Sequence, residues 1–475
     1  MRAMAEMVSF SVIKWDISRL TFWDVSIALL GLFIFSCLYE RLTRKGPMMW
    51  PVFGIIPSIV FHLSDAHNWG TRVLIKAGGT FHYRGMWMGG AYGIVTTDPS
   101  NIEYMLKTNF QNFPKGNYYR ERFHDLLGDG IFNADNESWM EKRQLAKHEM
   151  HSIALGVNPG CLALDLPEVP FAKAFEEATE LTLLRFLMPP FVWKALKFFG
   201  LGNERRLKEA IKVVHDFADK KVRDRRNILG NLSNQSDFLS RLIESENKQG
   251  QNRHFPGNFL RDFCVSFILA GRDTTSVALA WFFWLIHKNP QVENKILAEI
   301  YEILYHPQCR TQDNITVFTE DGLKKMVYLQ AALSESLRLY PSVPIEMKQV
   351  LEDDVLPDGT RVKKSARVFN FLFSMARMES IWGKDCLEFK PERWIKDGKF
   401  VSANQFKYPV FNAGPRLCLG KNFSYTQMKM VAASVLLRYS VKVVEGHSVV
   451  PKLTTTLYMK NGLMVTLKPR LVNNA

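Results

Sequence analysis

Near its carboxy terminus the chain reads Phe411-Asn412-Ala413-Gly414-Pro415-Arg416-Leu417-Cys418-Leu419-Gly420, and Cys418 stands out chemically within it. Gly414 and Gly420 permit a tight loop that turns backbone amides toward the sulfur, and a strong helical pattern runs from about Asn422 to Arg438. Amides and a helix amino terminus both favour a thiolate. A thiolate so held suits the axial position of haem iron, because it donates electron density that favours O–O cleavage. Arg416, two residues upstream, is placed to reach a haem propionate. The pattern Phe-x-x-Gly-x-Arg-x-Cys-x-Gly, opened by Phe411, is long and constrained, hence specific. The other cysteines, Cys37, Cys161, Cys264, Cys309 and Cys386, are widely spaced without a Cys-x-x-Cys pair, which argues against a disulfide framework or structural zinc. They read as small buried residues in a reducing compartment. His148 and His151 share a helical i, i+3 spacing but have no third ligand nearby.

Two further patterns fall on helices. Glu335 and Arg338 lie three apart on one helical face, where a carboxylate and a guanidinium can pair, on a surface or elsewhere. Asn258 to His287 is long, apolar and helical in pattern, yet its middle reads Ala270-Gly271-Arg272-Asp273-Thr274-Thr275. Gly, Asp and Thr each cost several tenths of a kcal/mol against Ala there. Poor local design inside a long helix points either to function or to a bend at threonines bonded back to carbonyls.

The elements that must position these residues are mostly helices. Leu207, Ile211, Val214, Phe217 and Ala218 give Asn203 to Arg226 an amphipathic helix, and Asn289-Pro290 starts another that runs to about Tyr305. Short strands are expected around 80 to 97 and 348 to 373, the latter with a turn at Asp358-Gly359. The polar stretch Asn227 to Gly257 reads as a connection with one short helix. The fold class is therefore mainly α with a minor β-sheet. The 475 residues are 47% hydrophobic and 23% charged, ordinary globular composition that excludes disorder and low complexity. A net charge of +14 invites anionic partners. No zinc-finger spacing or RNA-binding signature accompanies it, so a membrane surface or an acidic protein fits better than nucleic acid. The apolar run from Phe22 to Tyr39, followed by Arg41, Arg44 and Lys45, reads as a membrane anchor with the downstream chain cytosolic. Pro47, Pro51 and Pro57 predict a stiff hinge behind it. The expected domains are residues 1–46, carrying the anchor at about 22–39, and 47–475. No dinucleotide or flavin motif is present, so electrons must come from a partner.

Through the cysteine loop the chain resembles the cytochrome P450 family of haem-thiolate monooxygenases, over nearly its whole length. The resemblance implies that fold in one large domain, haem b bound through Cys418, and electrons from NADPH by way of an NADPH-cytochrome reductase. It implies that Gly271 makes room for dioxygen, that Thr274 and Asp273 relay protons, and that Trp139 and Arg143 of the Trp-x-x-x-Arg helix face a propionate. It also joins Arg393, of Pro391-Glu392-Arg393-Trp394, to Glu335 and Arg338 in a triad that positions the cysteine loop. Lys142, Lys147 and Lys421 are candidates for a basic face toward an acidic flavoprotein. More closely, the segments Asn112 to Gly116, Asp125 to Asn133, Ala270 to Thr274 and Leu453 to Leu457 are similar to the plant fatty-acid omega-hydroxylase branch. That implies hydroxylation of the terminal methyl of long or very-long acyl chains for cutin or suberin, by a protein with a single anchor in the endoplasmic reticulum membrane. Phe113 to Phe132 and Ser342 to Ile345 are then candidate channel walls, and Lys115, Arg120 and Arg122 candidate carboxylate anchors.

One departure stands out. The Trp139 helix is expected to end near Ser152, and the chain passes at once to Ile153-Ala154-Leu155-Gly156, where the family has a full helix and most of a second. Their loss removes apolar burial beside the distal helix, partly offset by the ordering entropy that goes with them. The alternative reading is a shortened, haem-poor, non-catalytic form, from splicing or a faulty gene model.

Overall fold

The apolar run forms one helix, α1 (Phe22–Thr43), in a computed structural model that describes residues 21–86, 92–149, 169–229, 238–248, 257–305 and 318–470. Thr21 and Asp24 close a capping box, with the Thr21 hydroxyl accepting from the Asp24 N–H (3.3 Å) and the Asp24 carboxylate accepting from the Thr21 N–H (2.9 Å). The 22 residues continue four beyond Tyr39. At about 1.5 Å per residue they reach roughly 33 Å, the thickness of a bilayer core. No residue of α1 is buried, so this amino-terminal helix has the length, composition and exposure of a membrane anchor. The proline-rich segment behind it differs from the expected hinge. A short helix, Ile56–Phe61, accepts Pro57 in its first turn, and Met49 and Ile55 are buried against Leu74, Tyr83 and Val95, so the segment packs into the body.

The helices that build the site are α2 (Gly116–Leu127), α3 (Asn136–Glu149), α4 (Pro170–Leu187), α5 (Gly202–Leu229), α6 (Phe259–Lys288), α7 (Pro290–Tyr305), α8 (Val327–Leu339) and α9 (Lys421–Arg438). The predicted helices around 203–226, 290–305 and 422–438 thus form within a few residues of their expected ends. A helix at Phe238–Lys248 lies in the polar connection. α6 is apolar all round because it serves two cores. Phe263, Val265 and Ile268 pack with α2, α4 and α5, whereas Ala278, Phe282 and Ile286 pack with α7, α8 and α9. The expected junction at 152/153, with His151 and Cys161, lies between α3 and α4 outside the described residues; Cys309 also lies outside them.

The strands are β1 (Thr80–Arg84), β2 (Tyr92–Thr96), β3 (Ile345–Gln349), β4 (Asp354–Val355), β5 (Arg361–Val362) and β6 (Arg367–Phe371). β1, β2, β6 and β3 form one sheet in that order, with β2 and β6 parallel and the outer pairs antiparallel. The Asp358-Gly359 turn joins β4 to β5 as expected, with Gly359 at φ +83°.

Candidate active site

Cys418 sits in the loop that delivers the chain into α9. Its N–H donates to the Phe411 carbonyl (2.8 Å), and the Phe411 ring packs on Tyr425 of α9 with centroids 5.3 Å apart. Gly414 is fixed by sterics, since its φ is +58° and a Cβ would stand 2.1 Å from the Leu106 carbonyl oxygen. Gly420 caps α9 and turns its N–H to the Cys418 sulfur. Burial pushes the Cys418 thiol up from its ordinary value, opposed by the Gly420 N–H, Arg143 and Lys421. One of the amides expected to favour the thiolate, that of Gly420, is therefore present, and desolvation opposes it.

Cationic side chains gather along the same loop. Arg416 is buried, donates to Asp135 (2.6 Å) and the Ala134 carbonyl (3.2 Å), and stacks on Trp139, its guanidinium carbon 4.3 Å from the ring centre. Its Nε has no hydrogen-bond partner among the described residues. Arg143, one turn along α3 from Trp139, donates to the Leu417 carbonyl (2.7 Å) and so ties α3 to the cysteine loop. Lys115 donates to the Phe132 carbonyl (2.8 Å), and burial, with Arg416 and Lys348 nearby, pushes its amine down to about 7. It belongs to this inner group and lines the cavity. Arg120 and Arg122 do not: Arg120 is held by the Asn133 carbonyl, and buried Arg122 by the Arg185 and Tyr118 carbonyls. Neither lines the cavity, so neither is a carboxylate anchor.

On the opposite wall α6 carries a π-helical turn, Leu269–Asp273. Among the described residues a Cβ on Gly271 would meet no atom outside its own helix backbone within 4 Å, and Leu269, Ala270, Gly271, Thr274 and Thr275 all line the cavity. The Thr274 hydroxyl donates to the Ala270 carbonyl, the back-bonded state also legible as a bend. Ser342 donates to the Thr274 carbonyl (2.7 Å) and pins the turn before β3 against this helix. Asp273 lies elsewhere than its expected role suggests. It is fully buried behind the cavity wall, paired with Arg272 (2.8 Å), and burial raises its pKa against the opposing pull of Arg272 and Tyr458.

The triad is assembled, with Glu335 and Arg338 enclosed and Arg393 half-buried at its edge. Glu335 accepts two bonds from Arg338 (2.8 and 2.9 Å), one from Arg393 (3.4 Å) and one from the Trp394 indole (2.8 Å). Arg338 also donates to the Ala376, Cys386 and Glu388 carbonyls, so one ion pair ties α8 to the segment preceding the cysteine loop. The surface-pair reading is excluded by burial: Glu335 is 0% exposed and Arg338 1%.

A cavity of about 670 Å³ unites these parts. Cys418, a free thiol, presents its accessible surface to it, with Trp139, Arg143 and Arg416 beside the sulfur loop and Gly271 and Thr274 across from it. The walls expected between Phe113 and Phe132 and at Ser342 to Ile345 are part of it, although Phe113 itself is buried away from the opening. A single thiol among the described lining residues, an unpaired Arg416 Nε and open space at Gly271 fit a haem, whose iron Cys418 would hold and whose propionates Arg416 and Arg143 would hold. His67 also lines the cavity, and burial pushes its pKa down to about 4. The unfolded chain takes up that proton near pH 6.5 and the folded chain only near pH 4, so stability falls as pH drops across this window, by about 3 kcal/mol in all. His67→Phe is expected to flatten urea midpoints between pH 7 and 4.5 relative to the parent; an equally steep fall would contradict a neutral buried imidazole.

Several contributors escaped the sequence. Asp135 accepts from Arg416 and from the Lys115 and Gly116 N–H groups, yet in sequence it is one more acid before a helix. Trp394 directly follows the Pro-Glu-Arg segment, and an indole beside two charged motifs was the available signal. Glu346 and Lys348 pair inside the wall (2.9 Å), and strand alternation gave no sign of it.

Fold and site together define a thiolate-ligated haem protein of the monooxygenase class. The family model "Cytochrome P450" matches residues 160–472. The chain is 46% identical to Cytochrome P450 86B1 of Arabidopsis thaliana over 511 aligned positions, which cover 95% of this chain and 91% of that protein. It is 37% identical to Cytochrome P450 94A2 of Vicia sativa (89% and 91% covered) and 34% identical to Noroxomaritidine synthase 1 of Narcissus pseudonarcissus (96% and 98% covered). The chain belongs to the cytochrome P450 family and is a monooxygenase related to plant members of it. In the first of these alignments 95% of the chain is about 451 residues, so about 60 of the 511 positions hold residues of the relative without a counterpart here.

Proposed function

We propose that the chain hydroxylates the terminal carbon of a long or very-long fatty acid, supplying monomers for cutin or suberin, from the endoplasmic reticulum membrane. The observation that carries this reading is the cavity, whose wall is apolar along the sheet face and open at Gly271. When bound, haem supplies the dioxygen chemistry, with electrons from NADPH through a partner reductase. The rest is the work of side chains. Cys418 would hold the iron, and Arg416 and Arg143, beside Trp139, would hold the propionates. Phe267, Phe369 and Phe371 exclude water and keep an acyl chain extended. Thr274 Oγ1 carries a proton that leaves the Ala270 carbonyl for the cavity, and Asp273, paired with Arg272, stands behind it with its pKa raised by burial. Lys142, Lys147 and Lys421 offer the basic face to an acidic reductase, and residues 1–46 anchor the catalytic body, 47–475.

Reconstituted with reductase and NADPH, the protein is expected to turn long-chain fatty acids into omega-hydroxy acids; turnover confined to sterols or terpenoids would overturn the substrate class. Thr274→Ala is expected to keep the carbon-monoxide spectrum but to lower product formed per NADPH by about tenfold, short of the roughly hundredfold or more for outright loss of a general acid. Unchanged coupling would remove Thr274 from the proton path. A second reading, a haem-poor shortened form, is favoured by the roughly 60 unmatched positions and by a family match that starts only at residue 160, just past the junction.

A further inference from the structure

Arg367 is a buried cation without a counter-ion among the described residues. It opens β6, lines the cavity and is 8% exposed, and among the described residues no carboxylate lies within ion-pair distance of it. Three other buried arginines, Arg185, Arg338 and Arg416, face Glu204, Glu335 and Asp135. The Arg367 guanidinium instead lies 3.3 Å from the centre of the Tyr118 ring, which also carries Arg122 at 3.4 Å. Two cations against one ring, with no anion between them, are costly to bury and make the wall receptive to an incoming negative charge.

The sheet shows where that charge would sit. Tyr83, Gly93, Arg367 and Gln349 are partners in one rung across β1, β2, β6 and β3, so their side-chain positions share a face. Gly93 leaves this rung bare between Tyr83 and Arg367, and its close packing forbids even a methyl group, since a Cβ would stand 1.8 Å from the Arg367 carbonyl oxygen. Tyr83, beside the gap, also lines the cavity and is buried at 9% exposure; its hydroxyl neighbours Arg367 electrostatically and meets no hydrogen-bond acceptor or donor at full bonding geometry among the described residues. The next rung on the same face, Phe81, Val95, Phe369 and Met347, is wholly apolar and lines the cavity throughout. Beyond it Phe371 pairs with Ile345, beside the turn that Ser342 pins to α6. From Arg367 to Phe371 the strand advances roughly 13 Å. A charged end, an apolar floor and then α6 follow one another along it.

We propose that Arg367 and Tyr83 bind the carboxylate of a free fatty acid, so that its chain runs along the β6 face and presents its far end to Gly271 and Thr274. This rests on the acyl-chain reading above and adds to it that the substrate is the free acid, not an ester. Lys115, beside Arg416, Asp135 and Glu346, already has carboxylates around it and is left to the haem side.

Equilibrium titration of the full-length protein with hexadecanoic acid and with its methyl ester tests this. Arg367→Gln is expected to weaken acid binding by about tenfold to a hundredfold, as for loss of a charge-assisted hydrogen bond, and to leave ester binding unchanged. Arg367→Lys should keep most of the acid affinity, and Tyr83→Phe should lose several-fold of it. Acid binding untouched in Arg367→Gln would overturn the anchor and leave the acyl-chain reading standing. Equal weakening of acid and ester would also overturn it, because Arg367 would then only support the wall. A parent protein that binds neither ligand would remove the acyl-chain reading and this proposal together.

Discussion

Cys418→Ala is expected to yield a folded protein that carries no thiolate-ligated haem and forms no hydroxylated product. The thiol points into the cavity and not into packed side chains, so its removal should cost under about 1 kcal/mol of stability, as for sites outside a core. The loop keeps its shape from elsewhere: the Cys418 N–H to Phe411 carbonyl bond, the left-handed Gly414 and the Arg143 bond to Leu417 survive the change. What is lost is the only thiol that lines the cavity among the described residues. Circular dichroism should match the parent while absorbance and product fall to background. Hydroxylation retained by this variant would contradict the ligand role.

Glu335→Ala should fail in the opposite way, by unfolding. Its carboxylate accepts from Arg338, Arg393 and Trp394 and from the Lys390 N–H, and with it gone the buried Arg338 charge is left to three carbonyls. Breaking a buried pair from one side costs about 3–5 kcal/mol, a large part of a typical net stability of about 5–15 kcal/mol. Urea denaturation should show that loss, with Glu335→Gln, which keeps an acceptor for the Trp394 indole, falling between parent and alanine variant. A cost below about 1 kcal/mol would mean the triad is not a structural tie.

Much of this architecture was legible because local physics writes it into the chain. Gly414 and Gly420 around Cys418 signalled a tight loop, Asn289-Pro290 marked a helix start, and Asp358-Gly359 marked a hairpin. The Gly271 and Thr274 pattern betrayed a helix built against propensity, and the helix indeed carries a π turn there. What the sequence hid depends on contacts between distant segments. Asp135 meets Arg416 across 281 positions, and Arg367 gains its meaning only when β6 pairs with β2 and sets it opposite Gly93. For the same reason Arg122 passed for a channel anchor, since nothing local shows that carbonyls from α2 and α4 enclose it. The hinge expected from three prolines failed because Met49 and Ile55 found a core to join.

The carbon-monoxide difference spectrum of the reduced, purified, full-length protein measures the claim on which the rest depends, that the Cys418 sulfur binds haem iron. A Soret band shifted as only a thiolate-ligated haem shifts it, and absent in Cys418→Ala, is the predicted result. A soluble, monodisperse protein that stays colourless after haem supplementation, or shows the band of a nitrogen-ligated haem, would contradict it and leave the shortened, haem-poor form as the correct description.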